Sequence, residues 1–367
     1  ERTTSGGRTL FTGAGTTDGV ATKQPGQRHV RAIEDYNPLS SRRLAGYLRG
    51  IVGKELTADI AERVGRAYAT HVQGRGAKTV TVGRDGRLSS PELYRALVKG
   101  LLAGGLNVVD IGICPSPLVY FSLHTLPVDG GIMITGSHNA AEYNGFKICV
   151  GKEAIHGEEI QELRRVMEAG TFVSGRGTLT EHPIIPDYLA YIKNSFAGVD
   201  AKRLHVVIDC GSGVAALIAK DALELLGCKV TGLYCELDGR FPHHHPDPTV
   251  AENVVDLGKK VVELGREVGI GLDGDSDRVG VIDEKGNLIP GDLLTLIFAK
   301  DILKDKPGSK IIRQTSSSER FASARTRPRS MAFARMASRS RPRPSSSIST
   351  RGFRRSGSTS ARYGRCA

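Results

Sequence analysis

The sequence predicts an α/β protein of successive, similar layered-sheet domains, and three observations carry that prediction. Short apolar runs of strand length alternate with segments of helical periodicity through the middle of the chain. The alternation closes after a helix ending near Ala169 and restarts near Pro183, so one such unit follows another. The 367 residues, 39% apolar and 25% charged, suffice for two or three domains of about 100–200 residues each.

Taken in order, residues 1–45 are rich in Gly, Thr and Arg, poor in large apolar groups, and expected to be a disordered arm. The first domain is placed at 46–182. Leu56 to Val72 carries helical spacing, Lys78 to Val82 reads as a strand, and Gly83-Arg84-Asp85-Gly86-Arg87 reads as a turn. Ser89 or Ser90 is expected to cap a helix that Pro91 opens and that runs to about Leu102. Val108 to Ile113 is the next strand, Pro115-Ser116-Pro117 breaks it, and a short helix follows. Ile132 to Ile134 and Phe146 to Val150 are strands flanking an exposed loop, and Glu158 to about Ala169 is a helix.

The second domain, 183–286, repeats the pattern. Pro183 to Ala197 holds a helix, His205 to Asp209 a strand, and Cys210-Gly211-Ser212-Gly213 leads into a helix ending near Gly227. Lys229 to Cys235 is a strand, Val254 to Leu264 a helix, and Ile270 to Leu272 a strand ending at Asp273. A third domain is expected to start near 287, with a helix over Leu293 to Leu303 and a strand from Lys310, and to be cut off at 312.

The net charge of +12 belongs to one end. From Arg313 onward there are fourteen Arg, no Lys and a single acid, Glu319, so the preceding 312 residues are together almost neutral. Residues 313–367, built from Arg, Ser, Ala and Pro, are expected to be disordered because they cannot bury enough apolar surface to offset the entropy of ordering. The two ends read either as basic arms or as out-of-frame translation of a GC-rich coding sequence. The second is favoured, because each change of composition is abrupt and interrupts a pattern still running. No apolar stretch approaches the roughly 18 residues needed to cross a bilayer, and no signal-peptide core is seen, so a cytoplasmic location without a membrane partner is expected. Cys114, Cys149, Cys210, Cys228, Cys235 and Cys366 show no CxxC spacing and read as buried thiols.

Two stretches carry chemistry. In Gly131 to Ile148 an apolar run feeds a turn that sets a hydroxyl, Ser137, beside an imidazole, His138, with Gly136 and Gly145 bracketing the loop. In Gly271 to Gly280 the acids Asp273, Asp275 and Asp277 alternate on a tight loop after a strand, so that three carboxylates can converge on one hard cation. Magnesium suits such an oxygen site. A calcium loop of the EF-hand type would place its bidentate Glu at Glu284, but Val279 to Ile282 reads as strand where a helix would be needed. A plain solvated acidic turn is the third reading. Arg278, directly after the acids, is the residue type that grips a phosphate by a fork of hydrogen bonds.

Together, Thr135-Gly136-Ser137-His138-Asn139 with Tyr143-Asn144-Gly145-Phe146-Lys147, the Asp273 to Arg278 loop, Val82-Gly83-Arg84-Asp85-Gly86-Arg87, and Phe241-Pro242-His243-His244-His245-Pro246-Asp247-Pro248 resemble the α-D-phosphohexomutase family. Within it the likeness is to the bacterial phosphomannomutase/phosphoglucomutase branch, over roughly Arg49 to Ile312. The resemblance implies an isomerase of the intramolecular phosphotransferase kind, acting on mannose or glucose 1- and 6-phosphates through a bisphosphorylated sugar. Ser137 would be the phosphoserine. Magnesium would be held by Asp273, Asp275, Asp277 and Ser137 itself, with His138, Lys147 and Arg278 around the phosphoryl group as donors or proton-transfer partners. Arg49 resembles the arginine of the family's N-terminal active-site segment. A monomer is expected.

Departures from the family pattern are also visible. Gly46-Tyr47-Leu48-Arg49-Gly50 stands where the family reads Tyr-Asp-Ile-Arg-Gly, Ala140 stands for a proline, Ser276 for a glycine and Ser212 for an asparagine. The Glu-x-Ser-Gly-His sugar-recognition loop of the third domain and the phosphate-binding loop of the fourth are not found after Ile312, so impaired turnover by this chain is expected. Two competing readings are an inactive fragment whose Arg/Ser tail binds nucleic acid or another polyanion, and a magnesium phosphatase using the Asp273 loop alone. The tail has few aromatics and no reader fold, and the phosphatase leaves Ser137 unexplained, so neither is preferred and nucleic acid is not expected as a partner.

Overall fold

The computed structural model describes residues 47–309, with side chains from Leu48 onward. The expected arms, Cys366 and the strand expected from Lys310 lie outside these residues. Sheet one runs β1 (Tyr47–Ile51), β5 (Tyr143–Val150), β4 (Gly130–Ile134), β2 (Thr79–Arg84), β3 (Asn107–Ile113) and β7 (Leu179–Glu181), with β6 (Glu153–Ala154) beside β5. The pairs β2–β3, β2–β4 and β3–β7 are parallel, whereas β4–β5 and β1–β5 are antiparallel.

Alternation along β2 builds two layers. Val80 and Val82 face one core with α1 (Ala58–Gln73) and α2 (Ser90–Ala103), which also takes in Leu163 of α4 (Glu158–Ala169). Thr81 points the other way, its hydroxyl 3.0 Å from that of Ser122 on α3 (Ser116–Thr125). Helices α1 and α2 nearly touch, since a Cβ on Gly100 would lie 2.1 Å from the Glu62 carbonyl oxygen. Thr57 caps α1, its hydroxyl accepting from the Ile60 N–H. Ser89 stands at the N-cap of α2, as expected, but its side chain makes no cap bond; both Ser89 and Ser90 accept hydrogen bonds from Asn144.

Sheet two runs β12 (Leu288–Ile289), β11 (Val279–Ile282), β10 (Val268–Leu272), β8 (His205–Asp209) and β9 (Lys229–Leu233). Leu223 of α6 (Ala219–Leu225) and Leu294 of α8 (Gly291–Asp305) pack with one of its cores, and Leu257 and Val261 of α7 (Val255–Leu264) with the other. A helix α5 (Ile185–Ser195) precedes it. The single helix expected after Gly213 is a 3-10 turn, Val214–Leu217, followed by the shorter α6. The strand expected to reach Cys235 ends at Leu233, because Tyr234 turns left-handed with φ 51°. The turn expected at Gly83 starts two residues later, since Gly83 and Arg84 still pair within β2 and β3. Strand β11 lies where the EF-hand reading would need a helix. The five described cysteines are unbridged, and four are buried. No helix among the described residues is long and apolar enough to cross a membrane.

Candidate active site

Ser137 sits at the carboxyl end of β4, on the loop that returns as β5. Its φ is 52°, a left-handed conformation that costs a non-glycine residue energy and is typically kept where surrounding structure imposes it. The imposing group is Arg87. Its guanidinium donates to the carbonyls of Ser137 (2.8 Å), Asn139 (2.7 Å), Ala140 (2.5 Å) and Tyr143 (3.0 Å), and pairs with Asp85 at 3.1 Å. Asp85 in turn accepts from the N–H of Gly136 and the hydroxyl of Ser90. The Phe241 ring covers the guanidinium at 4.9 Å, so the Phe241 to Pro248 motif contributes to this scaffold.

The exposed loop expected from sequence is buried. Ser137 is 1% exposed and His138 3%, because the acid loop between β10 and β11 lies directly on them. A Cβ on Gly274 would stand 2.5 Å from the Ser137 carbonyl oxygen, so glycine is what lets the loops meet. Ser137 Oγ lies 3.3 Å from both Asp273 Oδ2 and His138 Nδ1. Lys147, on β5, donates to Asp275 and Asp277 at 2.5 Å each. Ser116 reaches the same carboxylate from α3: its hydroxyl donates to Asp275 Oδ2 and its N–H to the Asp275 carbonyl, 2.9 Å away.

Behind the acid loop, His244 Nδ1 donates to the His245 carbonyl, and Nε2 lies 3.1 Å from Asp209. Pro246 accepts from the Gly274 N–H. The acid loop is thus held on both sides.

The electrostatics follow from crowding three carboxylates in little water. Burial, then the charges of Asp275 and Asp277, push Asp273 up to about 8. Burial pushes Asp275 the same way, but Lys147 and hydrogen bonds from Lys147 and Ser116 outweigh it and hold it below the usual carboxylate range. For Lys147 burial acts to lower the pKa, and the two carboxylates overcome it and raise it.

The ligand atoms of Asp273, Asp275 and Asp277 all lie within 4.8 Å of one another. Asp275 Oδ1 is buried without a hydrogen-bond partner among the described residues. An all-oxygen set with an excess of negative charge and an orphaned buried oxygen fits a hard divalent cation.

Among the sequence candidates, Ser137, His138, Lys147, Asp273, Asp275 and Asp277 come together in one place. Arg49, on β1, joins them through Asn139, to which it donates at 3.1 Å. Arg278 borders the acid loop: its N–H and that of Asp277 donate to Asp273 Oδ1, and its side chain is half-buried. The sequence motifs include Asp85, Arg87, Phe241 and His244, and a helix break includes Ser116, but no role at the site was assigned to any of the five. The signal for Arg87 was present as charges alternating around a glycine right after an apolar strand. Ser116, between two prolines, offered none.

Comparison with known proteins matches residues 45–174 to the phosphoglucomutase/phosphomannomutase alpha/beta/alpha domain I and residues 186–286 to domain II of the same family. A phosphomannomutase/phosphoglucomutase of Pseudomonas aeruginosa is 45% identical over 274 residues, 75% of this chain and 59% of that protein. A phosphoglucomutase of Neisseria gonorrhoeae is 41% identical over 278 residues, 75% of this chain and 60% of that one. The crystal structure of a phosphoglucomutase/phosphomannomutase family protein from Burkholderia thailandensis superposes with a TM-score of 0.69 at 39% identity, covering 72% of this chain and 59% of the other. The chain thus spans about three-fifths of the length of these relatives.

Proposed function

The chain belongs to the phosphoglucomutase/phosphomannomutase family, and from that premise we propose that it is a hexose-phosphate mutase in which Ser137 carries the phosphoryl group. The substrates are the 1- and 6-phosphates of glucose or mannose. One observation carries the reading: two loops far apart in sequence bring the Ser137 oxygen 3.3 Å from Asp273, one of three clustered acids.

A serine hydroxyl is a weak nucleophile, so the site must act by placement and charge. In one half-reaction the bond between phosphorus and Ser137 Oγ breaks, a bond to a sugar hydroxyl oxygen forms, and the hydroxyl proton is taken up by a nearby base. His138, with Nδ1 3.3 Å from Ser137 Oγ, is placed to hold a proton at the serine oxygen. The second half-reaction returns the sugar's other phosphoryl group to Ser137. Asp273, Asp275 and Asp277, with the phosphoserine, would hold magnesium, which supplies charge neutralisation at the transferring group. Arg87 fixes the carbonyls of the serine loop, so the hydroxyl needs no reorganisation. Arg278 and Arg49, at the rim, suit anionic oxygens.

The groups gathered here address the reacting end of the sugar phosphate, while contacts to the remote end orient the intermediate. The test follows glucose 6-phosphate formed from glucose 1-phosphate with catalytic glucose 1,6-bisphosphate and magnesium. Wild-type turnover that disappears in Ser137→Ala is expected, and an undiminished rate in that variant contradicts the reading.

A further inference from the structure

We propose that Ser116 is the positioning residue of the acid loop: its buried hydroxyl engages Asp275 Oδ2 so that Oδ1 is the oxygen presented to a divalent cation. The inference deepens the mutase reading and rests on it. Ser116 is the first residue of α3 and is 0% exposed, as is Asp275. Two bonds join them across 159 positions of sequence: the hydroxyl to Oδ2, and the Ser116 N–H to the Asp275 carbonyl at 2.9 Å. The serine thus grips both the backbone and the side chain of one acid from the opposite domain.

Lys147 donates to the same Oδ2 at 2.5 Å and lies 3.5 Å from Ser116 Oγ. With two donors on Oδ2 the plane of the carboxylate is set. The other oxygen, Oδ1, is buried and accepts from no N–H or hydroxyl among the described residues, and beside Asp275 lies the Asp273 carboxyl, a second oxygen ligand, so a shared cation would satisfy it. Lys147 divides its ammonium between Asp275 and Asp277, so its hold on Asp275 changes with the state of Asp277. The Ser116 hydroxyl is neutral and, among the described residues, donates to Asp275 alone. It is the fixed member of the pair, and it does not touch the reacting atoms.

Partners that orient metal ligands in this way typically contribute a factor of about 10–100 in metal affinity. The experiment titrates Mn2+ into the full chain by electron paramagnetic resonance, for wild type, S116A and S116T, with a thermal melt of each recorded without cation. Expected are Mn2+ binding about 10–100-fold weaker in S116A, binding close to wild type in S116T, and a cooperative melt in both. A folded S116A that binds Mn2+ as tightly as wild type overturns the proposal. Should S116A fail to fold, the near-isosteric pair S116T and S116V decides, and equal affinities in the two overturn it. Wild type that takes up no Mn2+ overturns the metal reading and this inference together, whereas wild-type affinity unmoved by loss of the hydroxyl overturns this inference alone.

Discussion

Replacing Arg87 with Met should do more damage than any surface charge could. The guanidinium is fully buried, with 0% of its side chain exposed, and it serves four carbonyls of the serine loop and the Asp85 carboxylate. Breaking a buried ion pair by removing one partner costs about 3–5 kcal/mol, chiefly through the charge left behind. Hydrogen bonds from a charged donor contribute about 1.5–3 kcal/mol each, although here they act as one unit and do not add. Asp85 keeps the Ser90 hydroxyl and the Gly136 N–H, which soften the loss. A destabilisation of about 4 kcal/mol for Arg87→Met is the result. Neutralising the stranded acid should restore part of it, so Asp85→Asn/Arg87→Met is expected to be more stable than Arg87→Met alone. Urea unfolding of the four proteins measures the cycle. The fraction of Ser137 labelled by bisphosphorylated sugar reports on the loop. An Arg87→Met protein within about 1 kcal/mol of wild type, the range typical of exposed pairs, with labelling intact, would refute the scaffold role of this arginine.

Three further outcomes follow from the same contacts. Gly274→Ala places a methyl 2.5 Å from the Ser137 carbonyl oxygen, and overpacking of this kind costs about 1–3 kcal/mol; because the strain falls where the loops meet, Ser137 labelling should drop about tenfold or more, a change of about 1.4 kcal/mol. Ser276 has φ 62° and a buried hydroxyl without a partner among the described residues. Glycine at that position should therefore raise the urea midpoint by a gain of up to about 1 kcal/mol, left-handed strain relieved less the added chain entropy. His244 faces a carbonyl on one nitrogen and Asp209 on the other; burial acts to lower its pKa, yet those two acceptors outweigh it and raise it. A raised histidine stabilises fully below its unfolded pKa near 6.5 and loses that contribution as pH climbs through the folded value. The melting-temperature gap between wild type and His244→Gln should accordingly narrow from pH 6 to pH 8, and a gap that widens contradicts the pairing.

What could be read from the residues alone follows burial. Every residue of β4 is buried, and its apolar run announces it. The strands β6 and β7 are exposed along their length, carry no alternation, and exist because a neighbour pairs with them. Ser137 and the three acids were legible because their chemistry is written locally, in a glycine-flanked hydroxyl and in carboxylates at alternate positions. The partners of Arg87 and Ser116 were not, because each acts on a segment 50 or 159 residues away. The burial of the serine loop was missed for the same reason: what covers it is the Asp273 to Arg278 loop of the other domain.

The central claim, one cation shared between Ser137 and the acid loop, is open to a direct measurement: anomalous diffraction at the manganese edge from crystals of the full chain grown with Mn2+. A single strong peak is predicted at about 2.0–2.2 Å from oxygens of Asp273, Asp275 and Asp277 and in contact with the Ser137 oxygen or its phosphoryl group. A peak away from these four residues, or density at the acids with Ser137 turned out of reach, would contradict it.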